Sequence, residues 1–478
     1  MVKYLLTISL LLSINIYGDS SLDDDLGGFD EEVVVEDSND ELDGFDDEVL
    51  TTTEEIPYVE EKESIFTLSG DLTFKTSLGY HNHKVDGIKY NSINQAQISL
   101  YLQLDTKISK NWKLRVSGDA FYDAIYDIKN YNYRDEILDD YRTQLRFDDV
   151  YLEGQLSDNL DLKIGRQIVV WGKSDSIRVT DVINPLDNRL PGMTDIEDLR
   201  LSVGMLKLDY YVGSWNFSGM VIGENRISLE ATPRGEFSNI DNIFQVQGGV
   251  PDPFLELVTP KNSLKNLQYA VAINGVFSGW DLSFYGANIL DQKSHFNKMA
   301  TPTTPLSSIK RVFSKVNMLG GAINIARGSW LLKSEIAYIN NIIYNSTVDK
   351  KNRLDTLVGF DYMGFKDSTI SLEVVNRHIF NYEKQMAIQS DFVDRNEFQT
   401  ALRVTHSFLN DTLNTTALVS MFGSSFENGG FARIWAKYDI ADGITSNFGI
   451  VDYIGGDKPF MESNKDNDRI FADITYSF

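Results

Sequence analysis

From residue 64 to the end, apolar and polar side chains alternate with a period of two, and this narrows the possible folds more than any other feature. Leu68, Leu72, Phe74 and Leu78 fall on one face of an extended segment, with Thr67, Ser69, Asp71, Thr73, Lys75 and Ser77 on the other. Ile98, Leu100, Leu102 and Leu104 repeat the pattern against Ser99, Tyr101, Gln103 and Asp105. Trp112, Leu114, Val116 and Ala120 repeat it against Lys113, Arg115, Ser117 and Asp119. A soluble barrel also alternates, but it turns its apolar face inward, and no soluble barrel of this length packs so many strands around one core.

The connections alternate too. Tight links rich in Ser, Asn, Asp and Gly fall near 109–111, 157–159, 213–214, 278–279, 326–328, 364–367, 409–411 and 440–443. Longer polar loops separate them at 81–93, 127–142, 173–198, 228–266, 290–310, 342–352, 382–396, 424–428 and 454–466. Short links on one side and long ones on the other are the asymmetry of bacterial outer-membrane barrels. The pattern predicts an all-β, antiparallel transmembrane barrel of about 18 strands over residues 64–478, with 16 as the competing count. Short turns face the periplasm and long loops the exterior. The final segment agrees: Ile470, Ala472, Ile474, Tyr476 and Phe478 share one face, and the terminal aromatics Tyr476 and Phe478 resemble a barrel-assembly signal. No run reaches the roughly 18 apolar residues of a membrane helix, and 12% aromatics with only 10 prolines suit a long β protein.

Two segments precede the barrel. Residues 1–18 read as a signal peptide: Lys3 supplies a positive start, residues 4–16 an apolar stretch, and Gly18 a small residue at the cleavage point. Residues 19–63 hold 20 acidic residues and one basic residue, Lys62, a density that predicts a disordered periplasmic tail. Of the net charge of −26, only −8 belongs to residues 64–478. The tail contains a duplicated L-x-G-F-D motif, starting at Leu26 and again at Leu42, which presents Phe29 and Phe45 in acidic frames. The pair reads either as a bivalent docking motif for a periplasmic partner or as a solvating spacer.

Several chemistries are excluded or unsupported. The acidic balance argues against nucleic acid. With no cysteine in 478 residues, disulfides, thiol catalysis and zinc–thiolate sites are ruled out. No Gly-x-Ser-x-Gly elbow appears, and of five histidines only His81 and His83 sit near each other, as loop residues. No cofactor, no metal site and no catalytic residue is expected.

If the apolar parity meets lipid, the opposite parity lines the lumen. It includes Lys113, Arg115, Lys333, Arg377, Arg403 and Arg433 among the bases, with Asp71, Asp119, Glu335 and Glu373 among the acids, a mixture that assigns no ion selectivity. Many of these residues are expected to pair across strands. The longest loops, 173–198 and 228–266, are the candidates for folding into the lumen.

One stretch carries a motif. Gly165-Arg166-Gln167 is followed by Trp171-Gly172, Asp175 and then Asp181-Val182-Ile183-Asn184-Pro185-Leu186-Asp187. This resembles the signature of a large family of outer-membrane barrels, domain of unknown function 1302. The resemblance implies envelope transport, often beside RND-type exporters and lipoproteins. From the residues themselves, Arg166 sits on the lipid-facing parity of Leu162 and Ile168, where exposure at mid-membrane would cost about 2–4 kcal/mol. Either Gly165 is a bulge that turns Arg166 inward to pair with Asp175, Asp181 or Asp187, or Arg166 lies at the extracellular rim; the bulge is the preferred reading. Asn184-Pro185 would tuck the loop back, bracing a constriction or acting as a conformational lock.

The expectation is therefore an outer-membrane porin-like channel for small or hydrophobic solutes in a Gram-negative envelope. The alternative is a component of a lipid or hydrophobe transport route docked through the acidic tail, and a loop-based receptor, adhesin or hydrolase is a lesser one. Outer-membrane lipid, lipopolysaccharide and the barrel-assembly machinery are the expected partners, with the oligomeric state left open.

Overall fold

The structure, a computed structural model, describes residues 65–238, 255–297, 308–388 and 391–478. The signal peptide, the acidic tail and its Phe29 and Phe45 lie outside the described residues. The strands expected from the alternation are present as β1 (Phe66–Gly79), β2 (Ile93–Ser109), β3 (Trp112–Asp123), β4 (Thr143–Ser157), β5 (Leu160–Gln167) and β6 (Val203–Val212). They continue as β7 (Trp215–Ile222), β8 (Gln268–Phe277), β9 (Trp280–Leu290), β10 (Lys315–Arg327), β11 (Trp330–Ile342) and β12 (Lys351–Phe365). The last third comprises β13 (Ser368–Ile379), β14 (Asn396–Phe408), β15 (Leu413–Phe422), β16 (Gly430–Ala441), β17 (Ile444–Ile454) and β18 (Arg469–Ser477).

These make one closed antiparallel sheet of 18 strands in which each pairs with its chain neighbours. Closure runs from Asp71↔Ser477 to Gly79↔Arg469, joining β1 to β18. Phe478 extends this seam, its N–H and carbonyl both bonded to Gly70 at 2.9 Å. The count of 18 therefore holds over 16. Closure leaves no unpaired edge, which is what a lipid solvent demands of a β structure.

Outward residues are apolar and exposed, among them Leu68, Leu72, Phe74 and Leu78 on β1 and Ile98, Leu100, Leu102 and Leu104 on β2. Aromatic rings gather at both rims. At the short-turn rim Phe277 stacks on Trp280 and meets Trp215 edge to face, and Trp330 packs tilted against Tyr362, with ring centroids 4.3–5.4 Å apart. Tyr338 and Phe380 meet at the long-loop rim, 6.2 Å apart. An apolar band between aromatic girdles is the surface of an outer-membrane barrel.

The inward face has two characters. On β8 to β14 many inward positions are small or apolar: Ala270, Ala272, Ala287, Ala322, Ala337, Leu357, Val375 and Ala401, all buried. On β1 and β2 they are polar, as in Asp71, Thr73, Lys75 and Ser77 and in Gln95, Gln97 and Ser99. What covers the apolar half is the connection between β5 and β6.

Candidate functional site: a loop pinned across the lumen

Residues 168–202, the connection from β5 to β6, fold into the barrel. Val169, Trp171, Ile177, Val179 and Ile183 join one buried cluster with Met205, Met220, Ala272, Tyr285, Met318 and Ala337 of the wall. Alanines on the wall give this loop the room it needs to press close. Trp171 stacks on Tyr285 of β9 with centroids 4.7 Å apart, and Tyr285 Oη accepts the Gly172 N–H at 3.2 Å. Such a stack contributes about 0.5–1.5 kcal/mol beyond the area it buries.

Backbone that leaves a strand inside a barrel loses its ladder partners, and orphaned N–H groups there are costly. Two wall carboxylates meet them. Glu335 of β11 accepts Lys173 N–H at 2.6 Å and Ser174 N–H at 2.9 Å on Oε1. Its Oε2 accepts Thr180 N–H at 3.0 Å and the Thr180 hydroxyl at 2.7 Å. Glu373 of β13 accepts Asp175 N–H at 2.8 Å on Oε1, and on Oε2 the Ser174 hydroxyl at 2.8 Å with Ser176 and Ile177 N–H at 3.1 Å each. Both glutamates are buried, at 2% and 1% exposure. Gly172 fits because its φ is +88°, and a Cβ there would lie 2.7 Å from Glu335 Oε1.

Ion pairs fix the rest of the loop. Asp175 pairs with Lys333, which also holds Asp361 at 2.7 Å. Arg377 donates to the Arg178 carbonyl at 3.3 Å. Asp195 bridges Arg403 at 3.2 Å and Arg433 at 3.0 Å, and the Arg433 guanidinium lies 4.0 Å from the Trp435 ring centroid. Tyr453 donates to the Pro191 carbonyl at 2.5 Å. Within the loop, Asp181 joins Arg178 at 3.0 Å to Arg200 at 2.9 Å. Asn184, fully buried, accepts the Val169 N–H at 2.9 Å and donates to the Leu201 carbonyl at 2.8 Å, tying the loop's entry to its exit. Asp187 pairs with Arg189 at 2.6 Å and Arg146 at 3.5 Å. Burial alone would raise the Asp187 carboxyl; hydrogen bonding and charge from Arg189 outweigh that and hold it below the ordinary carboxylate range.

Of the ten residues picked from sequence as lining the lumen, Asp175, Glu335, Arg377, Arg403 and Arg433 come together to hold the loop, with Asp181 and Asp187 inside it. Lys113 and Arg115 stand apart near the short-turn rim, Arg115 paired to Asp105 at 2.7 Å. Arg166 corrects the preferred sequence reading. It binds none of the three aspartates but forms a two-point pair with Glu224, at 2.5 and 3.1 Å, and donates to the Phe147 carbonyl at 3.0 Å. Nor is Gly165 a bulge: register runs unbroken through Tyr151↔Gly165 and Gly165↔Met205. Its φ of +130° and the 2.2 Å left between a hypothetical Cβ and the Val150 carbonyl explain the glycine instead. Arg166 is thus a clasp at the long-loop end of β5, where Glu224 follows β7. Sequence parity placed Glu373 and Lys333 in the lumen without a role, and it gave no signal for Asp195 or Tyr285.

The described part of the second long loop also turns inward. Leu229–Glu230 pairs in parallel with Asp187–Asn188, Phe237 is buried against Tyr453, and Glu236 meets Arg469 at 2.6 Å. Between residues 187–199 and the inner wall of β1 to β4 lies a cavity of about 440 Å³. On the short-turn side a second cavity, about 730 Å³, is lined by Ile168, Val170, Lys173, Asp195 and Arg403.

A closed apolar-girdled barrel with a loop bound inside it defines an integral outer-membrane β-barrel of porin-like architecture. The family described as protein of unknown function (DUF1302) matches residues 35–478, and the chain belongs to it. Among solved structures, Acinetobacter baumannii OccAB2 is similar with 10% identity and a TM-score of 0.50, over 86% of this chain and 98% of that one. Pseudomonas aeruginosa OccK11 (OpdR) matches with 9% identity and a TM-score of 0.48, over 86% and 96% of the two chains. The outer membrane protein OpdK from Pseudomonas aeruginosa matches with 10% identity and a TM-score of 0.47, over 86% and 99%. At these identities the likeness is one of fold. No curated protein matches the sequence.

Proposed function

We propose that the protein is a porin-like channel that passes small solutes across the outer membrane through a lumen narrowed by residues 168–202, without catalysing a reaction. The observation that carries this reading is the attachment of the loop's first part, residues 173–180, to the apolar half of the wall by Glu335 and Glu373. Held on β9–β14 over residues 171–180, and further along by Arg433, Tyr453 and Arg146, the loop narrows the lumen without filling it, because the polar wall of β1 to β4 still bounds a cavity. The test is single-channel recording of the purified full-length protein in planar bilayers. Stable ion-conducting steps are expected. Electrical silence across a range of voltages and salts would overturn the reading in favour of a closed transport component that needs a periplasmic partner at Phe29 and Phe45.

A further inference from the structure

The cavity facing β1 to β4 has an uneven charge balance. Seven acids line it, namely Asp71, Asp119, Asp123, Asp140, Asp187, Asp198 and Glu236, against four bases, Lys75, Arg146, Arg189 and Arg469. All three arginines are spoken for by lining acids: Arg146 by Asp119 at 2.8 Å, Arg189 by Asp187 at 2.6 Å and Arg469 by Glu236 at 2.6 Å. Asp71, Asp123, Asp140 and Asp198 form no ion pair among the described residues, and Lys75 is the one lining base in the same position.

Aromatic residues line the same space: Tyr90, Tyr101, Phe121, Tyr126 and Tyr141. Ser77, 2% exposed, also lines it, with an Oγ that no described donor or acceptor meets. Unpaired carboxylates raise the local concentration of cations in a narrow, low-dielectric-walled passage. Aromatic faces attract the same charge and shelter an apolar substituent beside it.

Resting on the channel reading above, we propose that this cavity is a selectivity filter for small organic cations, an ammonium or guanidinium group on an apolar body, with Asp71 and Asp198 as its specificity-determining residues. Asp71 lies on β1, and among the described residues its side chain accepts only the Ser477 hydroxyl, at 2.6 Å. Asp198 lines the same cavity from the loop side. Neither takes part in the contacts from Glu335 and Glu373 that hold the loop.

The test uses the full-length protein in planar bilayers and proteoliposomes. Reversal potentials in a KCl gradient near 0.1 M salt are expected to give potassium about five- to tenfold preference over chloride, from three uncompensated charges roughly 10 Å from the ion. In liposome swelling, benzylammonium is expected to enter at least about threefold faster than benzoate, its shape-matched anion. Asp71→Asn with Asp198→Asn should bring the potassium preference to about twofold or below while single-channel conductance steps persist. Conductance with chloride preferred, or benzoate entering as fast as benzylammonium, would overturn the inference and leave the channel intact. A selectivity untouched by the double variant would overturn the assignment to these two residues. No conductance at all would sink the channel reading, and the inference with it.

Discussion

Removing the carboxylate charge from the two wall glutamates gives a perturbation whose size follows from geometry. In Glu335→Gln the cheaper rotamer keeps the oxygen that serves Lys173 and Ser174 and puts the amide nitrogen toward Thr180. The Thr180 hydroxyl can turn to accept from that nitrogen, so one N–H, that of Thr180, is orphaned. In Glu373→Gln the cheaper rotamer likewise orphans one group, the Asp175 N–H, because three of its four donors share Oε2. Each orphaned buried N–H costs about 1–3 kcal/mol, and losing charge assistance on the surviving bonds adds to it. The double variant therefore loses about 4 kcal/mol of loop attachment, with some coupling because Ser174 donates to both glutamates. Four kcal/mol is roughly a 10³-fold shift in the local opening equilibrium. Hydrogen exchange of the peptide spanning 172–180 in detergent-solubilised protein reads that equilibrium directly. Exchange there should accelerate by about three orders of magnitude, while amides in β11 and β13 stay protected because their ladders are untouched. Acceleration of less than tenfold would refute the idea that these carboxylates hold the loop.

Three further outcomes are expected. Gly172→Ala, which forces an L residue to φ +88° and a methyl to 2.7 Å from Glu335 Oε1, should loosen the same peptide by about 1–3 kcal/mol, read as an exchange about 5- to 150-fold faster. Asn184→Ala, which strands the Val169 N–H and the Leu201 carbonyl in a fully buried position, should cost about 2–3 kcal/mol and appear as faster exchange at 168–170 and increased open-channel noise. The Asp198 carboxyl is held above its ordinary range by reduced solvation inside the lumen, then by Glu197 and Asp195, against Lys75 and Arg433. Because it takes up its proton at a higher pH than a free carboxylate, cation preference should begin to fall early as the pH is lowered from 7, and Asp198→Asn should remove that early component of the reversal-potential titration.

The barrel was legible because lipid imposes one rule on every strand. Each outward position had to be apolar, so a period of two ran through β1, β2 and β3 and survived to Phe478, and tight turns alternated with long loops. The same periodicity put Glu335, Arg377, Arg403 and Arg433 on the inward face. It could not say what they bind, since their partners sit on a loop whose path obeys no period: Arg403 and Arg433 converge on Asp195, more than 200 residues away in the chain. Arg166 was misread for the same reason. Its partner Glu224 lies beyond the end of β7, 58 residues on, where strand parity has stopped.

A second signal was present on the inner parity and concerned size rather than polarity. Ala270, Ala272, Ala287, Ala322, Ala337 and Ala401 occupy inward positions where an empty aqueous lumen sets no demand for small side chains. Such residues make sense only if something packs on them, and Trp171, Ile177 and Val179 do. The polar inward run of β1, from Asp71 through Lys75 to Ser77, marks the part of the wall that, among the described residues, faces the cavity instead of the buried apolar cluster. Read for side-chain volume as well as polarity, the inward parity separates the wall that carries the loop from the wall that faces solute.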